Sequence, residues 1–139
     1  MSVVVMKSVY AFMVADVDGA ANPFEAAVGS RISYAEAPSG TDLPLAVYTM
    51  DPPVIERSFS GDTKHTSNLT VSIITEKALG PDAAADIENL LFARMQGATL
   101  SATGFDRVLV RCTDRGTPEV DGEAFRIDSS FEVIAVDPA

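Results

Sequence analysis

The side chains of this sequence that could carry out chemistry are few, and they gather around its only histidine. Asp62 precedes His65 closely enough for the two to form an acid/base pair, and the candidate nucleophiles are Ser60, Ser67 and Cys112. All but Cys112 lie in or beside a segment rich in Gly, Thr and Ser, which has the composition of a solvated turn. A surface histidine is therefore favoured over a catalytic one, and we expect the chain not to be an enzyme.

Metal and nucleotide sites also lack their usual residues. One cysteine and one histidine cannot build a four-ligand zinc site, and one cysteine cannot close an intrachain disulfide. Cys112 alternates with Val108 and Val110, which favours a small buried apolar side chain over a reactive thiolate. The sequence has no glycine-rich phosphate loop of the Walker or dinucleotide type. We expect no cofactor.

Two clusters of charge are the remaining candidates. The basic cluster is Arg107, Arg111 and Arg115, spaced by four along a predicted strand. It is interpreted either as a solvent-facing sheet surface paired with acids on the next strand, or as a docking face for an acidic neighbouring subunit. With the polar turn, it gives the candidate assembly contacts: Asp62, Lys64, His65, Arg107, Arg111 and Arg115.

The densest acidic segment contains Asp114, Glu119, Asp121 and Glu123. These four are the candidates for lining a channel, and the alternative is a solvated outer loop. The whole chain has a formal charge of −10, from 20 acidic and 10 basic residues. This is the wrong sign for holding nucleic acid through its phosphates, so DNA binding by the surface as a whole is disfavoured.

The length and composition fit one globular domain over residues 1–139, since 47% of the residues are hydrophobic and 22% are charged. No apolar run reaches the roughly 18 to 20 residues that a membrane span needs. Lys7 interrupts the first apolar stretch and no basic residue precedes it, so a signal peptide is not supported. We expect synthesis inside the cell and no membrane association.

The hydrophobic spacing predicts the elements that carry these residues. Helices are predicted at 3–15, at 23–28 with Asn22 as its cap, and at 82–95, where residues 83, 87, 90, 91 and 94 or 95 form one apolar stripe. Strands are predicted at 31–35, 45–50, 54–60, 67–76, 107–112 and 123–136. Residues 61–65 form the tip of a hairpin, and the last strand is long enough to bend, bulge or project beyond the sheet.

The expected fold class is α+β, an antiparallel sheet with two main helices packed on one face, in the order α-β-β-β-α-β-β. Short loops between consecutive strands cannot make parallel crossovers, which favours antiparallel pairing. A chain with a long strand and exposed sheet edges must also cover those edges, and pairing with a neighbouring copy is one way to do so.

A collinear series of segments resembles the tail terminator (tail-completion) family of siphophages and gene transfer agents. The stretch VGSRISY at 28–34, then APSGTDLP at 37–44, then Val47 and Tyr48 resembles the family's N-terminal signature. Residues 82–91 resemble its Ala-rich helix, 97–100 the exit into a strand and 107–111 the next strand. Glu119, Asp121 and Gly122 resemble its acidic loop, and 126–133 its final strand. Leu45 departs from the family, which often has an aromatic residue after the Leu-Pro pair.

This resemblance, which covers about residues 24–136, implies a structural virion protein without catalytic residues. The family's subunits form a homo-oligomeric ring, commonly of six copies, that caps the completed tail tube, stops its polymerisation and receives the head. The implied partners are the tail tube protein and a head-completion or connector protein, with DNA passing through unbound. The implied location is the head–tail junction of the virion, after synthesis in the host cytoplasm. The alternatives are a tail tube or head-closure subunit, or a small-molecule-binding or enzymatic domain with a site near His65.

Overall fold

The computed structural model describes residues 3–59 and 61–137, and within them the chain forms three α-helices and eight β-strands. The helices are α1 (Val3–Val14), α2 (Pro23–Ala27) and α3 (Pro81–Met95), with a 3-10 turn at Lys77–Leu79. The strands are β1 (Ile32–Tyr34), β2 (Leu45–Met50), β3 (Val54–Arg57), β4 (Thr63–Glu76), β5 (Thr99–Leu100), β6 (Arg107–Asp114), β7 (Glu119–Asp121) and β8 (Ala124–Val136). The predicted α+β class is confirmed.

Strands β4 and β8 form a long antiparallel ribbon at the centre of the sheet. They pair without interruption from Lys64 opposite Val136 to Glu76 opposite Ala124. The sheet order is β1-β2-β4-β8-β6-β5, while β3 also pairs with β4 and β7 also pairs with β8. The unusual length of β8 therefore reflects an equally long partner, and β8 does not project beyond the sheet. The irregularity lies in β6, whose register against β8 shifts between Cys112 and Asp114.

One strand pair differs from the antiparallel pattern that the sequence predicts. Strands β1 and β2 are parallel, with Ile32 opposite Ala46. The connection at 35–44 is long enough to return the chain, and it is tied down when Arg31 Nε donates to the Pro44 carbonyl at 2.9 Å. Antiparallel pairing is expected because short loops cannot connect parallel strands. That expectation fails here because the loop at 35–44 is the longest between consecutive strands in the first half of the chain.

The helices cover one face of the sheet and close a single cluster of buried apolar side chains. Alternate residues of β4, β6 and β8 point into it, as predicted from their sequence pattern. The fully buried members include Val5, Val9, Met13, Leu69, Val71, Leu91, Met95, Phe131 and Val133. No helix among the described residues is both long enough and apolar enough to span a membrane.

The buried stripe of α3 is displaced slightly from the predicted one. Ala84, Ile87, Leu91 and Met95 are buried together with Glu88. Leu90 was predicted to join them, but it is 36% exposed. The difference arises because Arg115, from a loop distant in sequence, pairs with Glu88. A carboxylate can therefore be buried on the side of the helix where hydrophobic spacing predicts an apolar residue.

Asn22 joins the end of α1 to the start of α2. Its Nδ2 donates to the carbonyls of Met13 and Ala15 at 2.8 and 2.9 Å, and its Oδ1 accepts from the backbone N–H groups of Phe24 and Glu25. The predicted capping role is confirmed, and Asn22 in addition satisfies carbonyls at the end of the preceding helix.

Candidate assembly surfaces

The polar hairpin tip is shorter than predicted and excludes the histidine. Strand β4 begins at Thr63, because residues 63–66 pair with β3 on one side and residues 64–66 with β8 on the other. Backbone hydrogen bonds close the tip, with Ser58 N donating to Asp62 O at 2.9 Å. Of the candidate contacts in this region, Asp62 lies in the tip, whereas Lys64 and His65 lie in β4. Ser60 lies outside the described residues.

His65 belongs to the helix-facing side of the sheet and is only 22% exposed at its side chain. Its Nε2 lies 3.2 Å from Oδ1 of Asp137, within ion-pair distance but without hydrogen-bond geometry. Its ring meets that of Phe105 edge to face at 5.5 Å between centroids. The acid beside His65 is therefore Asp137, which follows the last strand, whereas Asp62, considered and disfavoured as a partner from sequence proximity, lies in the hairpin tip.

Ser67 and Cys112, the described nucleophiles of the enzymatic alternative, both lie within strands of the sheet. The Ser67 hydroxyl is buried without a hydrogen-bond partner on the helix-facing side of β4. Three surface clefts of the described residues are lined by side chains other than those of His65 and Ser67. The described residues also contain no group of three potential metal ligands. Cys112 packs half-buried against the core, and burial raises the pKa of its thiol, with nearby Glu88 adding to the effect.

Large apolar side chains are exposed on the outer strand of this hairpin. All four residues of β3 are exposed, including Val54 at 64% and Ile55 at 62%, and Phe59 follows them fully exposed at the tip. The sequence predicts an ordinary strand at 54–60, which is longer than the observed β3. The composition of β3 gave no signal of exposure, since only the pairing pattern shows that it is an outer strand.

Arg107 and Arg111 lie on the sheet face opposite the helices, as predicted from their spacing. Arg111 Nη2 contacts Glu132 Oε1 on β8 at 3.0 Å, which is the cross-strand pairing offered as the first interpretation of this cluster. Arg107 stands opposite Val136 and is exposed.

Arg115 is separated from these two because it holds the loop after β6 against α3. Its Nε and Nη2 contact Glu88 at 2.9 and 2.6 Å, and Nη2 also contacts Asn89 Oδ1 at 2.6 Å. The guanidinium lies 4.0 Å from the centre of the Phe92 ring. The hydrogen bond with Glu88 raises the pKa of Arg115. Arg115 therefore serves an internal contact that links two parts of the fold.

The acidic candidates lie along a β-hairpin and not in one continuous loop. Asp114 ends β6, Glu119 and Asp121 lie in β7, and Glu123 lies in the turn into β8. All four are exposed. Arg126 on β8 stands opposite Glu119 and lies 3.8 Å from Asp121, so it offsets part of their charge.

A cleft of about 400 Å³ lies between this hairpin and the loop after β6. Asp128, one of the residues lining the cleft, accepts from Ser72 Oγ at 2.6 Å and from Arg126 Nε at 2.9 Å. Burial alone would raise the pKa of Asp128, but these hydrogen bonds and the charge of Arg126 outweigh it, and the pKa lies below its usual value. Gly116 lets the loop cross β8, since a Cβ there would come within 2.1 Å of the Asp128 carbonyl oxygen.

Two solved structures share this fold over their whole length. One is a chain described as "Virion of native gene transfer agent (GTA) particle", with a TM-score of 0.72 and 20% sequence identity, and the match covers 99% of this chain and 100% of that one. A second solved chain has a TM-score of 0.67 and 13% identity, and the match covers 100% of this chain and 98% of that one. No protein-family model and no curated protein matches the sequence. At these identities the likeness establishes the fold.

Proposed function

We propose that this chain is a structural subunit of a tailed phage or gene transfer agent particle and that it acts there as a tail terminator. The observation that carries the proposal is the end-to-end likeness to a chain of a gene transfer agent virion, in which neither chain has a substantial part without a counterpart. The collinear resemblance of residues 28–48 and of the later segments to tail terminators gives the more specific role.

In this role, copies of the chain form a ring, six in number by analogy with the family. One surface of the ring contacts the tail tube protein and stops its polymerisation, and another receives the head-completion protein. DNA passes through the opening without specific binding. The exposed apolar residues of β3 and the exposed charges of the hairpins support a role in assembly, because such groups are available to neighbouring subunits.

The direct test is electron microscopy of particles made with and without this protein. A tail terminator predicts abnormally long tails without heads when the protein is absent, and tails of normal length when the wild-type chain is supplied again. Loss of all tails would identify a tube subunit instead. Tails of normal length beside unattached heads would identify a head-closure subunit.

The hairpin residues test the enzymatic alternative. Replacing Asp62 by Ala should leave folding intact and weaken assembly at most, since Asp62 lies in an exposed tip. Replacing His65 by Ala removes the contacts with Asp137 and Phe105 and should lower the stability modestly. If either change abolished a catalytic activity of the purified chain, the enzymatic alternative would replace the structural one.

A further inference from the structure

Two short strands, β3 and β7, extend the central ribbon at opposite corners. Strand β3 pairs with β4 at residues 63–66, and β7 pairs with β8 at residues 124–126, which lie at the other end of the ribbon. About ten residues separate the two positions along β4, which corresponds to roughly 35 Å at the usual rise of a strand. They also lie on opposite sides of the β4–β8 pair.

Each of these strands has a free edge within the part of the chain that the structure describes. The sheet pairing gives β3 one partner, β4, and gives β7 one partner, β8. Every residue of both strands is exposed. A strand edge of this kind presents unpaired N–H and C=O groups that another chain can use.

The exposed side chains of the two strands complement each other. Val54 and Ile55 of β3 are 64% and 62% exposed, and Val120 of β7 is 60% exposed, so each strand offers apolar surface next to its free edge. Beside this surface β3 carries Glu56, which stands opposite Lys64 of β4, and it ends at Arg57, which stands opposite the uncharged Thr63 and so faces no charge on β4. Strand β7 has an acid on each side of Val120, namely Glu119 and Asp121, and these two acids share one arginine of β8, Arg126.

We propose that β3 of one copy pairs with β7 of the next copy, so that the sheet continues across the subunit boundary. This inference rests on the proposed function, and it identifies the contact by which neighbouring copies of the ring are joined. Because the two edges differ and lie at opposite corners, the contact is head to tail, and such contacts close into rings when the rotation per subunit allows it. Pairing places Val120 beside one of the two apolar residues of β3, which point to opposite faces of the sheet, and brings Arg57 near the acids of β7.

Cross-linking between single-cysteine variants tests the pairing directly. In a Cys112→Ser background, one protein carries Ile55→Cys and the other carries Val120→Cys, and a short bismaleimide is added to each alone and to their mixture. We expect dimers in the mixture and neither variant cross-linked to itself. Leu90→Cys, at an exposed position of α3, is the control and should give no product with either partner. Self-linking of the Ile55→Cys protein would indicate a symmetric β3–β3 contact and overturn the proposal.

A charge exchange gives the second measurement, read by sedimentation velocity. Arg57→Glu should weaken ring formation by about tenfold or more, since it places like charges together at the interface. Adding Glu119→Arg to the same chain should restore the ring in part, because the new arginine meets the glutamate introduced at position 57 of the neighbouring copy but also stands opposite Arg126 of its own chain. Lys7→Glu makes the same change of charge at an exposed position of α1 and should have no effect.

The two proposals fail in different ways. If wild-type rings form but withstand Arg57→Glu and give no cross-link in the mixture, the β3–β7 contact is wrong while the ring-forming function stands. If the wild-type chain stays monomeric at every concentration, both the ring-forming function and the β3–β7 contact are wrong. Circular dichroism of each variant checks that a variant that no longer forms rings is still folded.

Discussion

Arg115 connects the loop after β6 to α3 through three side chains of that helix. It reaches a carboxylate that is almost fully buried, an amide and an aromatic ring, all on α3. The planar guanidinium satisfies these three groups at once, whereas an ammonium group could contact only part of them. The loop after β6 is thereby held to the helix layer.

Arg115→Lys should lower the free energy of unfolding by about 1 to 2 kcal/mol, because hydrogen bonds to the buried carboxylate of Glu88 are lost while the charge is kept. The figure is modest because the Arg115 side chain is 41% exposed, so solvent already screens part of the interaction. Urea titration measures the change. Arg107→Lys is the control at an exposed position and should alter stability little, and an equal effect of both changes would contradict the role of Arg115 as a clamp.

The lowered pKa of Asp128 predicts that part of the chain's stability is lost in acid. Its pKa is lowered in the folded chain, so the carboxylate contributes stability that is fully present above the unfolded pKa of about 3.9. That contribution is lost as the pH falls through the folded pKa. Asp128→Asn should therefore be less stable than the wild type at pH 7, with the difference shrinking in strong acid. Urea titrations at several pH values test this, and a difference independent of pH would contradict it.

At the scale of elements, α3 joins the helix layer to the long ribbon, and two adjacent leucines report on its orientation. Leu91 is fully buried and Leu90 is 36% exposed. Leu91→Ala should cost about 2 to 5 kcal/mol of unfolding free energy because it leaves a cavity in the core. Leu90→Ala, the same change one residue earlier, should cost clearly less. Comparable losses, or a loss below about 0.5 kcal/mol for Leu91→Ala, would show that the helix faces the sheet differently.

At the scale of the whole molecule, the acidic surface predicts weak interaction with DNA. Each copy has a formal charge of −10, and two of the candidate phosphate contacts, Arg111 and Arg115, already face Glu132 and Glu88. The acids of the β7 hairpin would repel phosphates at close range if they line an opening, with screening beyond about 8 to 10 Å.

The free chain should therefore show no measurable binding to duplex DNA at low salt, where attraction would be strongest. Fluorescence anisotropy with a labelled duplex provides the measurement, and a basic DNA-binding protein serves as the positive control. Micromolar, salt-sensitive binding would contradict the acidic channel and would direct attention to Arg107 and its neighbours.

The sequence by itself determined the helices and strands that are specified by neighbouring residues in the chain. Helix α3 follows from its apolar spacing and from the Gly80-Pro81 start, α2 from the Asn22 cap, and β8 from strict alternation. Each of these depends on residues close to one another in the chain, which is why pattern and capping rules reach them. The α+β class follows from their order.

Only the tertiary structure decided what depends on distant partners. Glu88 is buried because Arg115 meets it, His65 faces Asp137 instead of Asp62, and β1 runs parallel to β2. The exposure of β3 and β7 likewise follows from the pairing of the whole sheet, in which both are outer strands. Hydrophobic alternation specifies that a segment is a strand. The strands that pair with it depend on how the complete sheet packs against its helices, so the pairing cannot be predicted from any local stretch of sequence.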